Sequence, residues 1–95
     1  MMSKTTLNRL AILLTTATAS SLAFADPHCT HQPESAWIPF ETAKAQVVEM
    51  GYQIKKFKKT HTGCYELYGY DTHRNRVEIY YNPVDMQVVK EEKDD

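Results

Sequence analysis

The sequence predicts an α+β fold in which one N-terminal helix packs on a three- to four-stranded antiparallel sheet. Three observations carry this. Phe40, Ala43, Val47 and Met50 recur at spacings of three, four and three, a single apolar stripe at helical period. From Tyr52 onward the period falls to two, the alternation of strands. The connections between those strands are short and polar, and short connections force antiparallel neighbours, because a parallel crossover needs a dozen or more residues.

Each element follows from its residues. Pro39 suits the first helical position, Glu41 lies in the first turn where the helix dipole favours an acid, and Gly51 stops the helix as its C′ residue. No Ser or Thr stands beside Pro39 to cap the helix, and Ser35 caps only a helix that begins a turn earlier. Tyr52 and Ile54 share one face of the first strand, but Phe57 breaks the parity, which predicts a bulge near Lys55 and Lys56 or a change of partner. Residues 60–63 form a turn. The second strand, 64–71, sets Tyr65, Leu67 and Gly69 against Glu66, Tyr68 and Tyr70. A polar loop follows, in which Asn75 suits a left-handed conformation. The third strand, 76–81, sets Val77, Ile79 and Tyr81 towards the helix and Arg76, Glu78 and Tyr80 away from it. Asn82, Pro83, Val84 and Asp85 turn the chain again, and residues 86–89 are a short candidate fourth strand.

Ahead of this unit stands an export signal. Lys4 and Arg9 give a positive start, residues 10–19 are apolar apart from threonines, and Ala23, Phe24 and Ala25 place small residues where a signal peptidase reads them. Cleavage is expected after Ala25, with a soluble periplasmic or secreted product. The apolar run is too short and threonine-rich to span a bilayer, which takes roughly 20 apolar residues. The expected organisation is a signal peptide at 1–25, an irregular arm at 26–36, a folded domain at 37–89 and a charged, frayed tail at 90–95. Without Lys4 and Arg9, 9 basic residues face 12 acidic ones, a net charge of −3. No global basic field recruits nucleic acid or anionic membrane.

A domain of this size seldom buries enough surface to be comfortably stable, so a covalent staple is expected. Cys29 and Cys64 both survive cleavage and allow one intramolecular pairing. Their bridge closes a loop of about 36 residues and stabilises by roughly 3–4 kcal/mol on the chain-entropy model. The other reading of two cysteines is a reactive or metal-binding thiol pair; redox motifs want the two cysteines two residues apart, and these are far apart.

The residues resemble the PepSY family, in particular its small exported single-domain members. The likeness runs from Trp37 to Val89. It is carried by Trp37, Glu41, the Gly51-Tyr52 junction, Gly63-Cys64-Tyr65-Glu66, Arg76-Val77-Glu78, Asn82-Pro83 and Val88-Val89. Relatives tend to have glycine where Asn75 and Met86 stand. Asn75 is a tolerable replacement, whereas Met86 points to a last turn of another shape. The resemblance implies a helix on an antiparallel sheet and an association with peptidase propeptides. It further implies inhibition or regulation of peptidases in the cell envelope, and it brings no catalytic residues.

Several clusters invite a function and each has a plainer account. His28, His31 and His61 come together if the disulfide forms, alongside Asp26 or Glu34, and form a candidate weak Zn²⁺ or Cu²⁺ site; His73 is the fourth histidine. The same bridge removes both thiolates, and loop histidines are ordinarily solvated. Lys55, Lys56, Lys58 and Lys59 are either a contact for an anionic partner (lipid headgroups, cell-wall polymer or an acidic protein face) or protection of an edge strand. Tyr68, Tyr70 and Tyr80 project from the face opposite the helix, beside Glu66, Glu78 and Arg76, as cross-strand pairs or as the candidate partner face. Trp37 reads as core. No nucleophile setting or phosphate-cradling loop is present, so no enzyme and no cofactor are expected. The expected function is a non-enzymatic binding module for an envelope protein, such as a peptidase, using the open sheet face. The alternative is a small-ligand or metal-binding protein that uses the histidine arm.

Overall fold

The computed structural model describes residues 26–94; the expected signal segment and its cleavage point lie outside them. After an extended arm and a 3-10 turn (Glu34–Ala36) come helix α1 (Phe40–Glu49) and strands β1 (Gln53–Lys59), β2 (Tyr65–Tyr70), β3 (Arg76–Tyr81) and β4 (Val88–Asp94). The strands form one antiparallel sheet in the order β1-β2-β3-β4. Helix and sheet make the two layers of an α+β fold. Among the described residues no helix is long and apolar enough to cross a membrane.

The helix is closed at its C-terminus by sequence-encoded geometry. Met50 is the C-cap, Gly51 takes φ 101°, the Gly51 N–H donates to the Val48 carbonyl at 3.0 Å, and the Tyr52 N–H donates to that of Val47 at 3.4 Å. This is a Schellman arrangement, and its left-handed residue is the one glycine supplies without steric cost. Pro39 stands one residue earlier than expected, as the N-cap rather than the first helical residue, with no side-chain cap. Ser35 lies in the 3-10 turn instead.

Ala43 and Val47 are fully buried and meet Phe57, Tyr65, Leu67, Val77, Ile79 and Tyr81 in one core, with Trp37, Ile38 and Phe40 packed around it. Met50 does not complete the stripe: at the cap, past the last full turn, it is 50% exposed. Aromatic rings tie the start of the helix to the sheet, with Phe40 5.1 Å from Phe57 and Trp37 edge-on to Tyr65 at 5.6 Å. The Tyr65 hydroxyl donates to the Ile38 carbonyl at 2.6 Å, which satisfies this polar group within the core.

Two turns differ from the sequence expectation. In the β2–β3 loop Arg74, at φ 69°, takes the left-handed conformation rather than Asn75. Asp71 and Asn75 close the loop (Asp71 N–H to Asn75 carbonyl, 2.9 Å), leaving Thr72, His73 and Arg74 between them. A three-residue hairpin loop wants its left-handed residue last, which is Arg74. Asn75 instead donates to the Asp71 carboxylate from its backbone at 2.9 Å and from its side chain at 3.2 Å. In the β3–β4 turn Met86 itself is left-handed, at φ 60°, and its N–H donates to the Asn82 carbonyl at 2.7 Å. That conformation costs a non-glycine residue about 1–2 kcal/mol, set here against packing of the Met86 side chain on the core. The turn therefore keeps a glycine-type shape without glycine, and the fourth strand forms. Residues 90–94 are not a frayed tail; they pair with β3 from Tyr80↔Lys90 to Arg76↔Asp94.

Candidate binding face

Parity in the sheet decides which side chains are left for function. Ile54 lies opposite Gly69 and Phe57 opposite Leu67, both on the helix side, although three positions separate them in sequence. The register shift between Ile54 and Lys56 absorbs the extra residue, which is Lys55. This is the bulge that the parity break predicts. Gly69 makes it possible: a Cβ there would run into the Gln53 backbone carbonyl.

The opposite face carries Lys56 and Lys58 from β1, Glu66, Tyr68 and Tyr70 from β2, and Arg76, Glu78 and Tyr80 from β3. It falls into two parts. One is held by the N-terminal arm. Cys29 and Cys64 are joined in a disulfide, the Cys29 N–H donates to the Thr62 carbonyl at 3.1 Å, and the Pro27 carbonyl oxygen lies 3.3 Å from the Cys64 sulfur. Asp26 reaches the Tyr80 hydroxyl at 3.0 Å, and the same hydroxyl lies 2.9 Å from Glu78 Oε2. Lys90 sits 6.0 Å from the Tyr80 ring centroid. Tyr80 is therefore only 6% exposed, withdrawn from the surface that the sequence assigns to it.

Buried beside it is Glu66, 2% exposed, with Lys58 Nζ at 3.7 Å. Burial pushes the Glu66 carboxyl above its ordinary pKa, and a hydrogen bond to Glu78 adds to the rise. Burial acts upward on Glu78 too, but hydrogen bonds from Glu66, Tyr68 and Tyr80 hold it below its usual range. Their surroundings thus push the two carboxyls apart, Glu66 upward and Glu78 downward. The Tyr68 hydroxyl is held neutral by its hydrogen bond to Glu78 and by burial; Tyr80 is held neutral by burial and its bonds to Glu78 and Asp26.

The other part is open. A groove of about 620 Å³ is lined by Lys55, Lys56, Lys58, Tyr68, Tyr70 and Arg76. Tyr68 is 37% exposed and Tyr70 half-buried. Arg76 pairs with Asp94 at 3.0 Å.

The histidine arm is arranged as the bridge requires. His28 and His31 stack with ring centroids 6.2 Å apart, and His61 lines the same cavity of about 570 Å³. His73 is remote, in the β2–β3 loop. Among the described residues no three histidine, cysteine or acidic side chains are grouped to hold a metal ion.

The Asp26–Tyr80–Glu78–Glu66 cluster joins the arm to the middle of the sheet, a contact that no local pattern announces. A signal for it exists: Cys64 has the parity of Glu66, so the bridge must bring the arm across this face.

A helix covers one face of a four-stranded meander, and an arm stapled to the other leaves a cationic, aromatic groove beside it. The chain belongs to the PepSY family: the family model described as peptidase propeptide and YPEB domain (PepSY_2) matches residues 9–92, from inside the expected signal segment into β4. No curated protein and no solved structure gives a significant match.

Proposed function

We propose that this protein is an exported, non-enzymatic binding module that inhibits or regulates a peptidase or another cell-envelope protein, and that it does so through the open part of its sheet face. Family membership supports the regulatory role. The disulfide supports an oxidising compartment. The observation that carries the site is the exposure of Tyr68 beside Tyr70 in the middle of a sheet face that the core does not use. Tyrosine offers a large, rigid contact area with a polar tip, which is why it anchors interfaces.

The test is affinity capture from envelope extract with the wild type and with the Tyr68→Ala/Tyr70→Ala variant, the captured proteins being identified by mass spectrometry. A peptidase, or another envelope protein, held by the wild type and lost by the variant is the expected result. Identical captures by the two proteins count against the face.

A further inference from the structure

We propose that the bulge in β1 builds a carboxylate clamp, in which Lys55 and Lys56 grip an extended acidic segment of the partner protein laid across Tyr68 and Tyr70. This rests on the open face being the contact surface and adds the chemistry of what it contacts.

The first ground is geometric. A regular strand sends neighbouring side chains to opposite faces. The bulge breaks that rule, and Lys55, Lys56 and Lys58 all line one groove while Ile54 and Phe57 keep the core side. Two adjacent lysines on one rim present two ammonium groups to a single chain running past them.

The second ground is charge. Lys58 is committed to Glu66, Lys59 to Glu34 at 3.2 Å and Arg76 to Asp94. Among the described residues, Lys55 and Lys56 have no ion-pair partner. The whole chain carries 12 acidic residues against 11 basic ones, so this rim is a local exception in an acidic protein. Unneutralised charge of one sign along a cleft concentrates ligands of the other sign.

The third ground is the groove's lining. Tyr68 gives its hydroxyl to Glu78, leaving the ring as an apolar surface, while the Tyr70 hydroxyl has no hydrogen-bond partner among the described residues and can donate to a carboxylate. The groove crosses from β1 to β3, so an extended segment lying in it meets both tyrosines and the lysine rim.

These features favour an acidic peptide over an anionic membrane. Lipid surfaces are gripped by clusters of four to eight basic residues. Here two free lysines stand in a net acidic chain, too few to hold a broad anionic surface but enough to grip a single extended segment.

The experiment is fluorescence anisotropy with fluorescein-labelled hexaglutamate on the oxidised protein at low ionic strength. The expected result is saturable binding that weakens with added salt. It should fall at least tenfold in the Lys55→Glu/Lys56→Glu variant and survive within about twofold in Lys55→Arg/Lys56→Arg. A Thr42→Glu/Lys44→Glu/Ala45→Glu variant makes the same change in net charge on the exposed side of the helix, and it should also bind within about twofold. Circular dichroism of each variant verifies the fold, and all the residues changed here lie at the surface. No saturable binding by the wild type, or an equal loss in the charge-matched control, overturns the clamp. So does binding to phosphatidylserine vesicles in place of hexaglutamate. If hexaglutamate fails while envelope capture still depends on Tyr68 and Tyr70, the clamp falls and the binding module stands.

Discussion

The hydroxyl of Tyr80 lies 3.0 Å from Oδ1 of Asp26, across a sequence separation of 54 residues. The same oxygen lies 2.9 Å from Glu78 Oε2, so one phenolic proton stands between two carboxylates. This contact ties the start of the arm to the middle of β3 and divides the sheet's second face into a covered part and an open one.

Removing the hydroxyl should therefore loosen the arm without touching the core beneath the helix. Tyr80→Phe is expected to cost about 0.5–1.5 kcal/mol, the usual net contribution of an intramolecular hydrogen bond. Urea unfolding measures it, and faster amide exchange confined to the arm and the Thr60–Gly63 turn would locate it. A loss spread over α1 would contradict the assignment.

The Glu66–Glu78 pair predicts a pH dependence of definite sign. Glu66 has its folded pKa raised, so its stabilising share is fully present below the ordinary glutamate value and is lost as pH rises through the folded value. Glu66→Gln keeps a hydrogen-bond donor and cannot ionise. From mildly acidic to neutral pH, wild-type stability should decline relative to that variant, read from urea midpoints at each pH. Asp71 works in the other direction at lower pH. Backbone hydrogen bonds from Asn75 and His73 hold its carboxyl down at about 2. Its contribution is present above the ordinary aspartate value and is lost only as pH falls towards 2.

The Cys29–Cys64 bridge spans 35 positions of sequence. Cys29→Ser/Cys64→Ser is expected to destabilise by about 3–4 kcal/mol and to expose Tyr80 and Glu66. Thermal unfolding and tyrosine accessibility check the two effects separately. Titration of the denatured, unreduced protein should find no free thiol.

Gly69→Ala is a test of the bulge. The added methyl meets the Gln53 carbonyl, and backbone does not give way as a flexible side chain does. A cost of at least 1–3 kcal/mol is expected, with changed nuclear Overhauser contacts between β1 and β2 around Ile54. An unchanged register at full stability would contradict the need for glycine there.

Most of the fold is legible in the residues because local periodicity and tertiary packing agree. Gly51 ends the helix where the stripe ends, and Phe57 announces the bulge by breaking parity. What escaped depends on contacts between distant segments. Residues 90–94 look like a solvated tail because their side chains are charged and mostly exposed, yet edge-strand pairing uses their backbone, which composition does not report. Met86 is unfavourable in a left-handed site on its own, and only its packing against the core makes the turn. Tyr80 shares the parity of Tyr68 and Tyr70, and nothing local distinguishes it; the arm brought over by Cys29 covers it alone. The lysine run reads as edge protection until the register shows that the bulge sets three of its members around one groove.

The central claim is that the partner meets the open half of the sheet face and not the helix. A photo-crosslinking residue placed at position 68, compared with one at the exposed helix position 48, tests this in the native envelope. The account predicts a discrete protein adduct from position 68, lost when Tyr70 is changed to alanine, and none from position 48. Adducts formed from position 48 alone, or equally from both positions, would contradict it.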